Sequence, residues 1–176
     1  SNQNKIPVMK KDIKIKANNK EIDLYCFLGE AVLKTQMVEQ SLSYSITIKM
    51  NPDETKQRAD DHLIQNQSYT LGKAIKIANN NNLYNLSLQE ELNAFLQQRN
   101  WLIHKVIIGN EEDFNAGNLK EELFHKIKDI SDNAESIQCA IEYDMIDFCT
   151  SKGKDMTETF LLLKLQEQGI RVQKKN

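Results

Sequence analysis

The sequence is poor in residues that interrupt helices. It contains two prolines and six glycines among 176 residues, and chains with so few of them usually form long helices. Cysteine is also scarce, since Cys26, Cys139 and Cys149 are an odd number, lie far apart and form no Cys-x-x-Cys pair. This usage gives no sign of a disulfide framework or a zinc site. It indicates reduced thiols in a cytoplasmic protein.

Long apolar runs and a strong net charge are absent too. The longest apolar run, residues 160–163, is far shorter than the roughly 20 residues that a membrane span needs, so no membrane partner is expected. The formal net charge of −2 gives no general attraction to nucleic acid or to a membrane surface, and any such binding would need a local patch. The chain opens with Ser-Asn without a Met and shows no signal peptide, so we expect its first residues to come from the expression vector.

Three regions are predicted along the chain. Residues 1–19 form a lysine-rich N-terminal arm, residues 20–168 a single helical domain, and residues 169–176 a polar tail. Within the arm, residues 12–16 alternate between apolar and polar, which fits either a short strand or an unstructured basic segment. Elsewhere apolar residues recur at spacings of three and four. We therefore expect an all-α bundle of four main helices plus short helices.

Capping patterns predict where the helices begin. Four such patterns are Asn18 with Glu21, Ser87 with Glu90, Asn118 with Glu121, and Asp155 with Glu158. The helices that follow them are expected to end near Met50, Gly109, Thr150 and Leu165. Pro52 fits the first position of a further short helix, and Leu71 begins the apolar face of another. Residues 111–117 are predicted to be a loop.

Two charged residues fall on the predicted apolar faces. Arg99 interrupts a stripe that also carries Phe95 and Leu102, and Glu39 falls in the centre of the stripe of the first helix. An ionised side chain is costly to bury unless another group pairs with it. Arg99 and Glu39 therefore form a structural ion pair, or Arg99 belongs to a site in which Glu39 positions it.

The stretch from Arg99 to His104 carries residue types that can act in proton transfer and in phosphate binding. A histidine can act as general acid or base near neutral pH, and an arginine stabilises phosphate charge with forked hydrogen bonds. Asn100 and His104 share a helix face, whereas Arg99 and His104 point about 140° apart. The geometry of a single helix therefore favours a site built by two chains across a two-fold axis.

Metal coordination fits the sequence less well. The histidines are His62, His104 and His125, and Glu122 with His125 matches half of the ligand set of di-iron bundles. Such bundles need a second Glu-x-x-His pair and further glutamates on facing helices, and no second pair is present. A glycine-rich phosphate loop is missing too. We predict no metal and no cofactor.

The motif Arg99-Asn100-Trp101-Leu102-Ile103-His104 resembles that of HEPN domains, in which three to six residues separate an arginine and the polar residue after it from a histidine. Residues 69–73 and 92–104 also look like stretches of bacterial members. HEPN domains are all-α bundles found in toxin–antitoxin, phage-defence and related systems. The resemblance covers about residues 20–150, although only the six-residue motif is specific.

The resemblance to HEPN domains implies a homodimeric, metal-independent endoribonuclease with RNA as its substrate. In that case Arg99 contacts the scissile phosphate, and His104 transfers protons during attack by the 2′-hydroxyl. Asn100 orients one of these two side chains. It also implies an antitoxin or another defence-system protein as a partner.

A non-catalytic helical module that binds a protein partner is the alternative function. The net charge of −2 and the acidic cluster at residues 111–113 are features that a surface gripping RNA would not need. Trp101 lies opposite the apolar stripe, where it either packs against another helix or stacks on a base.

Overall fold

The computed structural model describes residues 17–53, 55–66 and 69–173, which form helices and no strand. The helices are α1 (Asn19–Met50), α2 (Lys56–Asn66), α3 (Leu71–Asn80), α4 (Leu86–His104), α5 (Glu111–Asn115), α6 (Glu121–Ser151) and α7 (Thr157–Glu167). The predicted all-α fold is confirmed. No helix in this part of the chain combines the length and apolarity of a membrane span. Residues 1–16, with their two alternative predictions, lie outside the described residues.

The two longest helices, α1 and α6, run in the same direction and pack along their full length. Their contacts keep a nearly constant sequence offset. It is 101 residues for Lys20 with Glu121, Lys34 with Glu135 and Ser41 with Glu142, and 95 residues for Lys49 with Asp144. A nearly constant offset of this kind requires parallel helices. Helix α4 runs the other way along α6, because Gln98 bonds to Asn133 whereas Trp101 lies under Lys126. The C-terminal end of α4 is therefore close to the beginning of α6.

The stripe predicted for α1, which runs from Tyr25 to Ile46, is buried at Thr35, Leu42 and Ile46 but departs from the buried face elsewhere. The core residues of α1 are Leu24, Ala31, Val38, Leu42 and Ile46. Tyr25 is exposed, and Glu39 lies at the edge of the buried face. The prediction that Glu39 occupies the centre of the stripe is wrong. Helix α1 carries two neighbouring apolar lines, and its packing against α6 buries the line through Val38.

The predicted apolar faces of α4 and α6 agree with the structure. Four residues of the α4 stripe are buried: Leu88, Leu92, Phe95 and Leu102. The α6 face is buried at Leu123, Ile127, Ile130, Ala134, Ile137, Ile141 and Met145. The period of 3.6 residues thus identified the core side of both helices.

Both ends of α4 differ from the prediction. The helix begins at Leu86, because Asn85 and not Ser87 is the N-cap, and the Asn85 side chain accepts a hydrogen bond from the Leu88 N–H at 2.9 Å. It ends at His104 and not near Gly109. Gly109 lies in the following turn with a φ of +83°, a backbone conformation that favours glycine.

Several other helix boundaries in the structure also differ from the predicted ones. Helix α2 begins at Lys56, since Pro52 lies in a turn, and residues 111–115 form the short helix α5 instead of a loop. Asn118 does not cap α6, which starts at Glu121 without a side-chain cap. In contrast, the capping box of Asn18 with Glu21 is confirmed.

The role of Asn85 as the N-cap of α4 can be tested by two alanine substitutions. Asn85→Ala is expected to lower the free energy of unfolding by about 1 kcal/mol, because the Leu88 N–H loses its acceptor. Ser87→Ala is the control and should change it little, since the Ser87 hydroxyl contacts only the exposed Glu91 carboxylate at 3.4 Å. Urea denaturation followed by circular dichroism measures both values. Equal losses for the two variants would contradict the assignment of Asn85 as the cap.

Candidate functional site

Arg99 lies near the C-terminal end of α4 and turns toward α1. Its Nη2 atom is 3.3 Å from Oε1 of Glu39, and the two side chains are 23% and 24% exposed. The pair is an electrostatic contact and not an aligned hydrogen bond, since Oε1 of Glu39 and Nε of Arg99 have no hydrogen-bond partner. Glu39 therefore holds the guanidinium in place without using all of its donors.

Asn100 belongs to the same group of side chains. Nη1 of Arg99 donates to Oδ1 of Asn100 at 3.5 Å, which is long for a hydrogen bond. Asn100 is partly buried. Arg99, Asn100 and Glu39 thus lie together where α4 meets α1, and Asn100 is placed to limit the movement of the guanidinium.

His104 stands apart from this group. It is the last residue of α4 and is exposed. Five residues of helix place it about 7.5 Å further along the axis from Arg99 and about 140° around it. Among the described residues, no hydrogen bond or ion pair joins His104 to Arg99, Asn100 or Glu39. One chain therefore does not bring the predicted catalytic residues into a single cluster.

Exposed apolar residues lie on both sides of His104 in the sequence. Ile103 precedes it, and Ile107 and Ile108 follow in the turn after α4, and all three are among the exposed large hydrophobic residues. The carbonyl groups at the C-terminal end of a helix favour a positive charge nearby. A histidine at this position combines a group able to carry a proton with a surrounding surface suited to contact another apolar surface.

Trp101 packs within the protein. Its ring is partly buried against the hydrophobic core, and Nζ of Lys126 lies 3.8 Å from the ring centroid. Of the two alternatives that the sequence left open, the structure agrees with packing between helices. The cation over the ring also ties α4 to α6.

A groove of about 390 Å³ opens beside Glu39. Its lining residues are Gln36, Glu39, Gln40, Ser43, Leu63 and Tyr69. Nζ of Lys73 lies 4.1 Å from the centroid of the Tyr69 ring, so a positive charge stands near the groove. The carboxylate of Glu39 thus lies between Arg99 and this opening. Gln36 and Ser43 carried no signal in the sequence, because polar residues on a helix look alike whether they line a groove or face solvent.

Comparisons with protein-family models, curated proteins and solved structures find no match. Within the described ranges, no three His, Cys, Asp or Glu side chains are placed to share a metal ion. His125, from the half-matched di-iron pattern, is exposed on α6. The functional interpretation therefore depends on the residues of α4 and their surroundings.

Proposed function

We propose that this protein is a HEPN-like, metal-independent endoribonuclease whose active site is shared by two copies of the chain. The observation that carries the proposal is the position of His104, which is exposed at the end of α4 among the exposed side chains of Ile103, Ile107 and Ile108. A second copy packed on this apolar surface would bring two histidines close together. The cellular role proposed with it is that of a cytoplasmic toxin or phage-defence effector.

The chemistry of this site follows from the residue types. The 2′-oxygen of RNA attacks the neighbouring phosphorus, and the bond from phosphorus to the 5′-oxygen breaks. One His104 takes the proton of the 2′-hydroxyl, and the other gives a proton to the leaving 5′-oxygen. Arg99 stabilises the charge on the phosphate oxygens. Glu39 and Asn100 hold the guanidinium in the orientation that this contact needs.

Cleavage of single-stranded RNA in the presence of EDTA tests the proposal. Arg99→Ala and His104→Ala are each expected to reduce the cleavage rate at least ~100-fold, because each removes a group that acts on the reacting atoms. His125→Ala is the matched control, since this histidine is also exposed but lies on α6, and it should keep full activity. Circular dichroism and sizing should show an unchanged fold and dimer in all three variants.

A mixture of wild-type and His104→Ala chains tests whether the site is shared. A mixed dimer retains only one of the two histidines that the proposed mechanism uses, so an excess of His104→Ala chains should reduce cleavage below the rate of the wild-type chains alone. A wild-type protein that is monomeric at micromolar concentration, or that cuts no RNA, would contradict the proposal.

The contact between Arg99 and Glu39 favours a second candidate function, a non-catalytic module that binds an antitoxin or another protein partner. In that case the ion pair is structural, and the acidic helix α5 that follows the motif contributes to the binding surface. This alternative would be supported if the wild type cuts no RNA and the variant with both substitutions keeps its full affinity for the partner.

A further inference from the structure

A second groove, of about 400 Å³, lies between α1, α6 and α7. Most of its lining is apolar, with Met37 from α1, Ile141 and Met145 from α6, and Leu162 from α7. This volume and lining are typical of sites for small molecules. Gln40 and Leu63 of α2 line both grooves, so the second groove adjoins the one beside Glu39.

Among the described residues that line this groove, Glu142 is the only one with a formal charge. Its Oε1 accepts hydrogen bonds from the Ser41 hydroxyl at 3.2 Å and from Nε2 of Gln138 at 2.9 Å. These two donors come from α1 and α6 and fix the position of the carboxylate. Its second oxygen receives no hydrogen bond from a described residue, which leaves an acceptor for a ligand.

No lysine or arginine among the described residues forms an ion pair with Glu142. The carboxylate is partly buried beside apolar side chains. Coulomb attraction to a cation is stronger in such surroundings than in bulk water, because less solvent screens it. The groove thus offers a fixed negative charge without a counter-charge of its own.

The other two carboxylates that act on Cys139, on the same side of α6, each have a lysine partner. The pKa of the Cys139 thiol is raised, first by burial and then by the negative charges of Glu142, Glu167 and Glu135, while Lys164 opposes the shift. Lys164 pairs with Glu167 at 3.2 Å, and Lys34 pairs with Glu135 at 2.8 Å. Of these three carboxylates, Glu142 is therefore the one that has no cation partner among the described residues.

We propose that this groove binds a small organic cation, with an amine or guanidinium group on Glu142 and an apolar stem against Met37, Ile141 and Leu162. The charged group completes the ion pair that the chain leaves open. The stem removes apolar surface from water, which adds to the affinity in proportion to the area covered. This binding is independent of the proposed ribonuclease activity, since Arg99 and His104 do not line the groove.

Titration of the full chain with hexylamine and with hexan-1-ol tests this site. The two probes share an apolar stem and differ in the charged group, and the methyl resonances of Met37 and Met145 report on binding within the groove. Hexylamine is expected to bind at least ~10-fold more tightly than hexan-1-ol, a difference of about 1.4 kcal/mol. Glu142→Gln should abolish the difference, because glutamine can still accept the bonds from Ser41 and Gln138 but carries no charge.

Glu90→Gln, on the exposed face of α4, is the control and should keep the preference for the amine. Equal binding of the two probes to the wild type, or a preference that survives in Glu142→Gln, would overturn the proposal.

A variant lacking residues 3–16 tests whether the groove is occupied by another part of the same chain. If hexylamine binds only to that variant, the lysine-rich arm of the chain fills the groove, and the separate ligand is ruled out. The separate ligand is likewise ruled out if hexylamine binds the monomer but not the dimer, because a second copy then covers the groove.

Discussion

Lys49→Met is expected to lower the free energy of unfolding by about 3 kcal/mol. The Lys49 side chain is only 9% exposed, and its ammonium group donates to Oδ2 of Asp144 and to the carbonyl oxygen of Leu83. It also lies 4.4 Å from the centroid of the Tyr84 ring. Methionine fills a similar volume but leaves the carboxylate and the carbonyl without their donor, and the loss of one partner of a buried pair typically costs about 3–5 kcal/mol. Because Asp144 is partly exposed, the expected loss of stability lies at the lower end of this range.

Lys34→Met provides the matched control for Lys49. Lys34 also joins α1 to α6, through Glu135 at 2.8 Å, but its two carboxylate partners are well exposed. Its loss should cost less than about 1 kcal/mol, as is usual for ion pairs at the surface. Chemical denaturation measures both values. Equal effects of the two substitutions would show that the buried ammonium group of Lys49 has no special role. Adding Asp144→Asn to Lys49→Met should restore part of the stability, because it removes the unpaired charge.

Phe95→Ala is expected to cost about 4 kcal/mol of unfolding free energy. The Phe95 side chain is 0% exposed and lies in the core on the buried face of α4. The substitution loses the transfer free energy of the ring and leaves a cavity that the surrounding helices fill only in part. The control is Leu86→Ala at the first position of the same helix, where the side chain is 70% exposed. This change should stay within about 0.5 kcal/mol, and a similar loss at both positions would contradict the assigned packing of α4.

The helical character of the chain and the buried faces of α4 and α6 could be predicted from the spacing of apolar residues. Helix ends were less predictable, because Asn85 and Ser87 are both good caps and only the packing of α4 selects one of them. The role of Lys49 had no local signal. Its partners come from a loop and from α6, 34 and 95 residues away along the chain, so only the tertiary structure brings them together.

The candidate site was predictable in part and for a physical reason. A charge on an apolar face must find a partner, and this argument anticipated the contact of Arg99 with Glu39. The groove beside Glu142 could not be anticipated, because it depends on the parallel packing of α1 against α6 and on the position of α7. Local sequence patterns contain no information on either.

The nearly constant offset between α1 and α6 has a consequence for synthesis on the ribosome. Helix α1 leaves the ribosome about 100 residues before the helix that covers it, because their contacts join residues 95 to 101 positions apart. At translation rates of roughly 5–20 residues per second, the apolar line of α1 remains uncovered by α6 for about 5–20 s. Nascent chains that stop before residue 121 therefore expose this line to solvent, and they are the species that should depend most on chaperones that bind unfolded polypeptides.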